Sequence, residues 1–145
     1  AVDIPLLHIV DAAARAICDA GIHKVGLLGT RFTMEEDFYR GRLKKLHGLE
    51  VLVPNLEERV IVHDVIYKEL CLGKINNQSR FQFKKIITNL VSQGAQGIIL
   101  GCTEIGMLIK PEDSPIPLFD TTRLHAQMAL DYALGLIPDS FFTSL

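Results

Sequence analysis

Gly101-Cys102-Thr103-Glu104 sets a thiol, a hydroxyl and a carboxylate side by side, directly behind the apolar run Ile98-Ile99-Leu100. A short apolar run closed by glycine reads as a buried strand, so the cysteine falls where the strand stops. A thiol just ahead of a helix faces backbone N–H groups and the positive end of the helix dipole, which favours the thiolate. Thr103 adds a hydroxyl donor. Glu104 has two roles open to it. As an anion it raises the pKa of the thiol; as a hydrogen-bonding partner it fixes geometry or relays protons. The competing reading of Cys102 is a small buried apolar residue, the common fate of a free cysteine.

A second strand end has chemistry of its own. Lys24-Val25-Gly26-Leu27-Leu28-Gly29 is another apolar run closed by glycine, and Thr30 and Thr33 follow it. Their hydroxyls and the backbone N–H groups of a helix start form a natural seat for a carboxylate or phosphate. The alternative is plain capping by Thr33, with Glu36 completing a capping box. The segment has neither the GxGxxG spacing of a dinucleotide site nor the GxxxxGK[ST] of a P-loop, so nucleotide cofactors are disfavoured. Cys18 and Cys71 read as core residues. Three cysteines without a CxxC pair disfavour a disulfide framework or a zinc site and point to a reducing cytoplasm. His8 reads as a packed histidine, and His23, His47 and His63 show no ligand spacing, so no metal is expected. Residues 40–45 and Lys84-Lys85 read as solvated helix faces.

The elements that must position these groups alternate regularly. Strands are expected over residues 24–29, 49–53, 98–101 and 118–119. Helices are expected over 11–20 with Asp11 as cap, from Thr33 to Gly48, over 57–70 and 79–93, briefly from Thr103, and over 121–136. That alternation predicts an α/β fold with a parallel β-sheet flanked by helices. Ligands of such sheets bind at the carboxyl ends of the strands, where both distinctive segments fall. At 145 residues the chain is the size of one domain. Its net charge of −2 offers no basic field for nucleic acid or an anionic membrane. No apolar run reaches the roughly 20 residues that span a bilayer. One internal echo stands out: Ile4-Pro5-Leu6 and Ile116-Pro117-Leu118 each run into a helix, as an internal duplication would leave them.

Residues 98–108 resemble the second cysteine signature of the aspartate/glutamate racemase family: two aliphatics, a spacer, Gly, Cys, Thr, an acidic residue and a spaced aliphatic tail. Val25-Gly26-Leu27-Leu28-Gly29-Thr30 with Thr33-Met34 is similar to the opening of that family's second lobe. Residues 66–73 and 94–99 resemble its aspartate racemase branch. The resemblance implies one lobe of a two-lobe, pseudo-symmetric fold and a cofactor-free racemisation of an acidic amino acid between two cysteines. It implies Cys102 as the second thiol, Thr103 as a donor to the substrate carboxylate and Glu104 as an auxiliary acid. Thr30 and Thr33 would lie near the site, and a basic residue, for which Lys74 is a candidate, would read the side-chain carboxylate. The family's first motif, Cys-Asn-Thr, is absent from these residues. The expected organisation is therefore an interlobe segment at 1–20 after a first lobe, a second lobe at 21–115, and a strand and helix at 116–145 that would pack on the first lobe. Its partners would be a first lobe or further copies in a homo-oligomer, and the chain alone would be inactive. Two alternatives stay open: another superfamily substrate, such as a hydantoin or maleate, and a one-lobe dicarboxylate or amino-acid binding or assembly module without catalysis.

Overall fold

A computed structural model describes residues 6–139 and 141. Four strands form one sheet in the order β2-β1-β3-β4, and every pairing is parallel. They are β1 (Lys24–Leu28), β2 (Glu50–Leu52), β3 (Gly97–Leu100) and β4 (Leu118–Asp120). Parallel pairing requires each connection to cross back over the sheet, and helices make those crossings. α1 (Ile9–Asp19) precedes β1. α2 (Arg31–Glu35) and α3 (Asp37–His47) join β1 to β2. α4 (Leu56–Lys68), a 3₁₀ turn at Leu70–Leu72 and α5 (Asn77–Ser92) join β2 to β3. α6 (Ile105–Leu108) and a second 3₁₀ turn lead to β4, and α7 (Thr121–Ala133) follows.

The two central strands are covered on both faces, which is why they read as continuous apolar runs rather than as alternation. Val25, Leu27, Ile99 and Phe119 turn to one layer, where they meet Val10, Ala14 and Ile17 of α1 and Leu43 of α3. Leu28, Ile98 and Leu100 turn to the other, against Val62 and Ile66 of α4 and Phe83, Ile87 and Leu90 of α5. Each fully buried Leu, Ile or Phe contributes about 1.5–3 kcal/mol from burial alone, so these two layers dominate the stability. Gly26 is required by the closeness of the second layer: a Cβ there would sit 2.7 Å from Ile98 Cδ1 and 2.9 Å from Leu90 Cδ1.

Several local expectations are corrected. α1 is capped by His8, whose Nδ1 accepts from the Val10 N–H at 3.2 Å. Asp11 is not the cap but a buried residue inside the helix, 2% exposed. Its carboxylate takes Arg42 in a two-point pair at 2.8 and 2.7 Å and lies 3.0 Å from His47 Nε2. Burial alone would raise the pKa of Asp11, but hydrogen bonds from Arg42 and His47 outweigh it and hold the carboxyl below its ordinary range. The face at residues 40–45 is therefore solvated only in part, because Arg42 is turned inward as a clamp between α3 and α1. Cys18 and Cys71 are exposed rather than core. The single helix expected from Thr33 is two helices, broken at Glu36, whose backbone is extended at φ −76°, ψ 151°.

The first copy of the Ile-Pro-Leu echo begins outside the described residues. The second copy enters β4 and then α7, where Asp120 Oδ1 caps the helix by accepting from the N–H groups of Thr122 and Arg123. α7 packs on α1 through Met128 against Ala12, with Ile137 closing the same cluster.

Candidate active site

The strand order reverses between β1 and β3. β1 connects to a neighbour on one side, and the chain then returns to its other side. Connections therefore leave the carboxyl ends of β1 and β3 in opposite directions, the place where parallel sheets of this kind bind their ligands. The two segments singled out in the sequence are the ones that leave these ends. β1 and β3 are in register up to Leu28 beside Leu100. One residue on, the Gly101 N–H donates to the Leu28 carbonyl at 2.7 Å. A Cβ at Gly101 would stand 3.0 Å from that carbonyl oxygen, 3.1 Å from Leu27 Cδ1 and 3.3 Å from Thr33 Cγ2. Glycine thus lets the cysteine loop close against the threonine loop, and Thr33 lies directly beside the residue before Cys102.

On the β1 side, Thr30 rather than Thr33 is the cap. Thr30 Oγ1 accepts from the Thr33 N–H at 3.4 Å, and the two hydroxyl oxygens lie 3.2 Å apart. Glu36 takes no part in a capping box. Both threonines are half-buried. The Arg31 N–H donates to His63 Nδ1 at 3.2 Å, which ties this loop to α4.

On the β3 side, the Cys102 thiol donates to Glu104 Oε2 at 2.8 Å. Burial first, then that hydrogen bond and the Glu104 charge, push the thiol up from 9.0 to about 12. Glu104 moves the other way: accepting from Cys102 and from Thr103 holds its carboxyl below the ordinary range. The pair is therefore a neutral thiol against a carboxylate anion. The thiolate expected from a helix dipole is not what the local structure favours. α6 has only four residues, too few to sum a sizeable dipole, and the carboxylate acts at hydrogen-bond distance. The hydrogen bond and the negative charge of Glu104 both act on the thiol in the same direction, upward. Thr103 is exposed, next to Cys102 at the carboxyl end of β3.

Two features had no clear signal in the sequence. Thr121, the first residue of α7, is buried and donates its hydroxyl to the Leu100 carbonyl at 2.8 Å, fixing the end of β3 from behind. Cys71 lies in the 3₁₀ turn that packs against α6, close enough for its charge to raise the Cys102 thiol slightly further. Gly73, in the left-handed region at φ 70°, ends that turn. The glycine was legible as a stop, but the proximity of its turn to Cys102 was not. Lys74 follows, with its side chain exposed. Among the described residues no cluster of His, Cys, Asp or Glu could hold a metal ion. None of their helices is long and apolar enough to cross a membrane.

The profile of the Asp/Glu/Hydantoin racemase family matches residues 1–129. A glutamate racemase from Exiguobacterium sibiricum is 28% identical over 141 residues, which cover 89% of this chain and 49% of that protein. The crystal structure of a Yersinia pestis protein assigned provisionally as an Asp/Glu racemase superposes with a TM-score of 0.88 at 54% identity, covering 90% of this chain and 57% of that one. An aspartate racemase homologue from Pyrococcus horikoshii superposes with a TM-score of 0.83 at 39% identity, covering 91% and 57%. The chain thus spans about half the length of the curated relative and little more than half of either solved chain.

Proposed function

The chain belongs to the Asp/Glu/Hydantoin racemase family, and from that premise we propose that it supplies one thiol of a cofactor-independent, two-cysteine racemisation of an acidic amino acid. One observation carries this reading: a protonated Cys102 stands at the switch point of the sheet, hydrogen-bonded to an anionic Glu104. Racemisation needs two acid–base groups in opposite protonation states on opposite faces of the α-carbon. A thiol displaced to about 12 is the donor of such a pair near neutral pH. In that direction a thiolate on the far face removes the α-proton, and the electron pair flows into the carboxylate as an enediolate. Cys102 then turns its S–H from Glu104 to the α-carbon, delivers the proton and becomes the thiolate. The reverse direction exchanges the two roles. Donors aimed at the growing negative charge lower the barrier. The hydroxyls of Thr30, Thr33 and Thr103 are the groups we assign to the substrate carboxylate, and Lys74 to its side-chain carboxylate.

Neither Cys18 nor Cys71 has the sequence setting of the far thiol, so we assign that thiol to a companion lobe or a second copy. Aspartate is the first candidate substrate because the aspartate racemase branch resembles residues 66–73 and 94–99. Glutamate is second, after the curated relative. Three free thiols fit a reducing, cytoplasmic setting. The test is ¹H NMR of L-aspartate and L-glutamate in deuterated water. The 145-residue chain alone is expected to leave the α-proton in place. A protein joining it to a lobe with the Cys-Asn-Thr motif is expected to exchange that proton and to lose the activity on Cys102→Ser. Cys102-dependent exchange by the chain alone would overturn the shared site. Undiminished exchange in the Cys102→Ser protein would overturn the role of Cys102.

A further inference from the structure

α2 is too short to hold its own shape. It has five residues, and helices shorter than roughly 12–15 residues are marginal on their own. Its first N–H groups also lack acceptors within the helix. Thr30 caps it and Thr33 lies inside it, so its placement sets where both hydroxyls stand.

The hold comes from α4. Arg59 and His63 are four residues apart on that helix and share one face. At the far end of α2, Arg59 Nη1 pairs with Glu35 Oε1 at 3.2 Å. At its start, the Arg31 N–H donates to His63 Nδ1 at 3.2 Å. Between these two ties, Met34 is buried in the layer that α4 and α5 cover.

The two ties differ in consequence. The ion pair joins two long, part-exposed side chains, and pairs of that kind contribute little. The tie at the start takes a backbone donor of the residue directly after Thr30. An accepting Nδ1 carries no proton, so the neutral ring holds its hydrogen on Nε2. The ring is itself steered by aromatic neighbours. Tyr67, one turn on, has its centroid 4.7 Å away, and Phe32 meets the ring edge-on at 6.4 Å. With Thr30 Oγ1 accepting from the Thr33 N–H, the donors of Arg31 and Thr33 each have a side-chain acceptor, one supplied by α4 and one by the turn itself. His63 had no ligand spacing in the sequence because its partner is a backbone group.

We propose that His63 is a positioning residue for the substrate carboxylate: its Nδ1 holds the Arg31 N–H and so fixes the turn that presents the Thr30 and Thr33 hydroxyls. This rests on the reading that those two threonines receive the carboxylate. The role asks for an acceptor at the place of Nδ1, not for an imidazole as such. Asparagine, whose side-chain oxygen accepts, retains it; leucine, of similar bulk and without an acceptor, loses it. A loosened turn must be ordered again each time substrate binds, which weakens binding and leaves proton delivery by Cys102 in place.

The test has two parts. The first is NMR of the 145-residue chain and uses no substrate. Imidazole ¹⁵N shifts should show His63 with a bare Nδ1 and a protonated Nε2 at pH 8. The Arg31 amide proton should move upfield in His63→Leu and keep its place in His63→Asn. The second is racemisation of L-aspartate by the protein joined to a lobe with the Cys-Asn-Thr motif. His63→Leu should raise KM about fivefold, the scale of one lost hydrogen bond, with kcat within about twofold of wild type. His63→Asn should restore KM to within about twofold. A proton on Nδ1, an unmoved Arg31 amide in His63→Leu, or an unchanged KM in that protein would each overturn the proposal. So would His63→Asn as impaired as His63→Leu, since ring packing and not the acceptor would then be at work. A wild-type joined protein that does not racemise would overturn the carboxylate reading, whereas failure of the NMR results with racemisation intact would overturn the role of His63 alone.

Discussion

Replacing Glu104 by Gln takes the charge away from the Cys102 thiol while keeping a side chain of the same shape beside it. The wild-type thiol sits at about 12 rather than 9.0. At pH 8 that displacement lowers the thiolate fraction about a thousandfold, and the thiolate is the reactive form. A more basic thiolate is also a better nucleophile; with a Brønsted slope of about 0.45 this returns roughly 20-fold. Wild-type Cys102 should therefore be alkylated by iodoacetamide about 50-fold more slowly than an ordinary thiol. Burial is the first cause of the displacement and survives the substitution; the hydrogen bond and the charge of Glu104 come next. Removing the hydrogen bond and the charge brings the thiol part of the way back, and because the thiolate fraction then rises more steeply than nucleophilicity falls, Glu104→Gln should be alkylated faster than the wild type. The assay is mass spectrometry of the three cysteine peptides after timed alkylation between pH 7 and 10. Exposed Cys18 and Cys71 act as references in the same tube. The shape of the pH profile separates acidity from access. Steric shielding lowers the rate at every pH, whereas a raised pKa keeps it climbing about tenfold per unit to pH 10 without a plateau. Alkylation of wild-type Cys102 with a plateau near pH 9, or a slower Glu104→Gln protein, would refute the thiol–carboxylate pairing.

Gly101→Ala should destabilise by about 1–3 kcal/mol, because its Cβ would press on the Leu28 carbonyl and cannot be relieved by turning a side chain. Thermal unfolding reads the loss, and the Cys102 alkylation profile reads any shift of the loop. Asp11→Asn should lower stability at pH 7 by about 3 kcal/mol, since it breaks a buried pair and leaves Arg42 and His47 facing a neutral amide. The Asp11 carboxyl is held below its ordinary 3.8, so its contribution is complete above that pH and is lost as pH falls through the lower folded value. Urea midpoints of the two proteins should therefore differ clearly at pH 7 and converge in strong acid. Thr121→Val leaves the buried Leu100 carbonyl without its donor and should cost about 1–2 kcal/mol in denaturant unfolding.

The sheet was legible because β3 and all of β1 after Lys24 are apolar, a pattern that full burial on two faces imposes on sequence. The positions of Cys102 and Thr33 followed from it, since a strand end in a parallel sheet is a fixed place. The helix ends were less legible, because several residues compete to cap. Thr30, Thr33 and Asp11 are all competent caps by type, and only tertiary contacts decide among them. Asp11 is drawn inward by Arg42, which comes from a helix 31 positions away, so no local rule could exclude it as a cap. The ionisation of Cys102 was hidden for a similar reason. The sequence shows a thiol before a helix, but the helix is a single turn and the carboxylate two residues on reaches back to the sulfur.

The order β2-β1-β3-β4 also bears on how the chain behaves when crowded. The two longer strands are interior and satisfied on both sides, while each edge is a strand of only three residues. An edge that short exposes few unpaired backbone groups, too few to template a growing ladder with another molecule. Charge lies along both flanks: Lys24 pairs with Glu50 across the first two strands of one edge, and Asp120 ends the other. The sheet that brings two loops together at its carboxyl end is thus also poorly suited to joining its neighbours edge to edge, and concentrated solutions of this chain should resist fibrillar stacking.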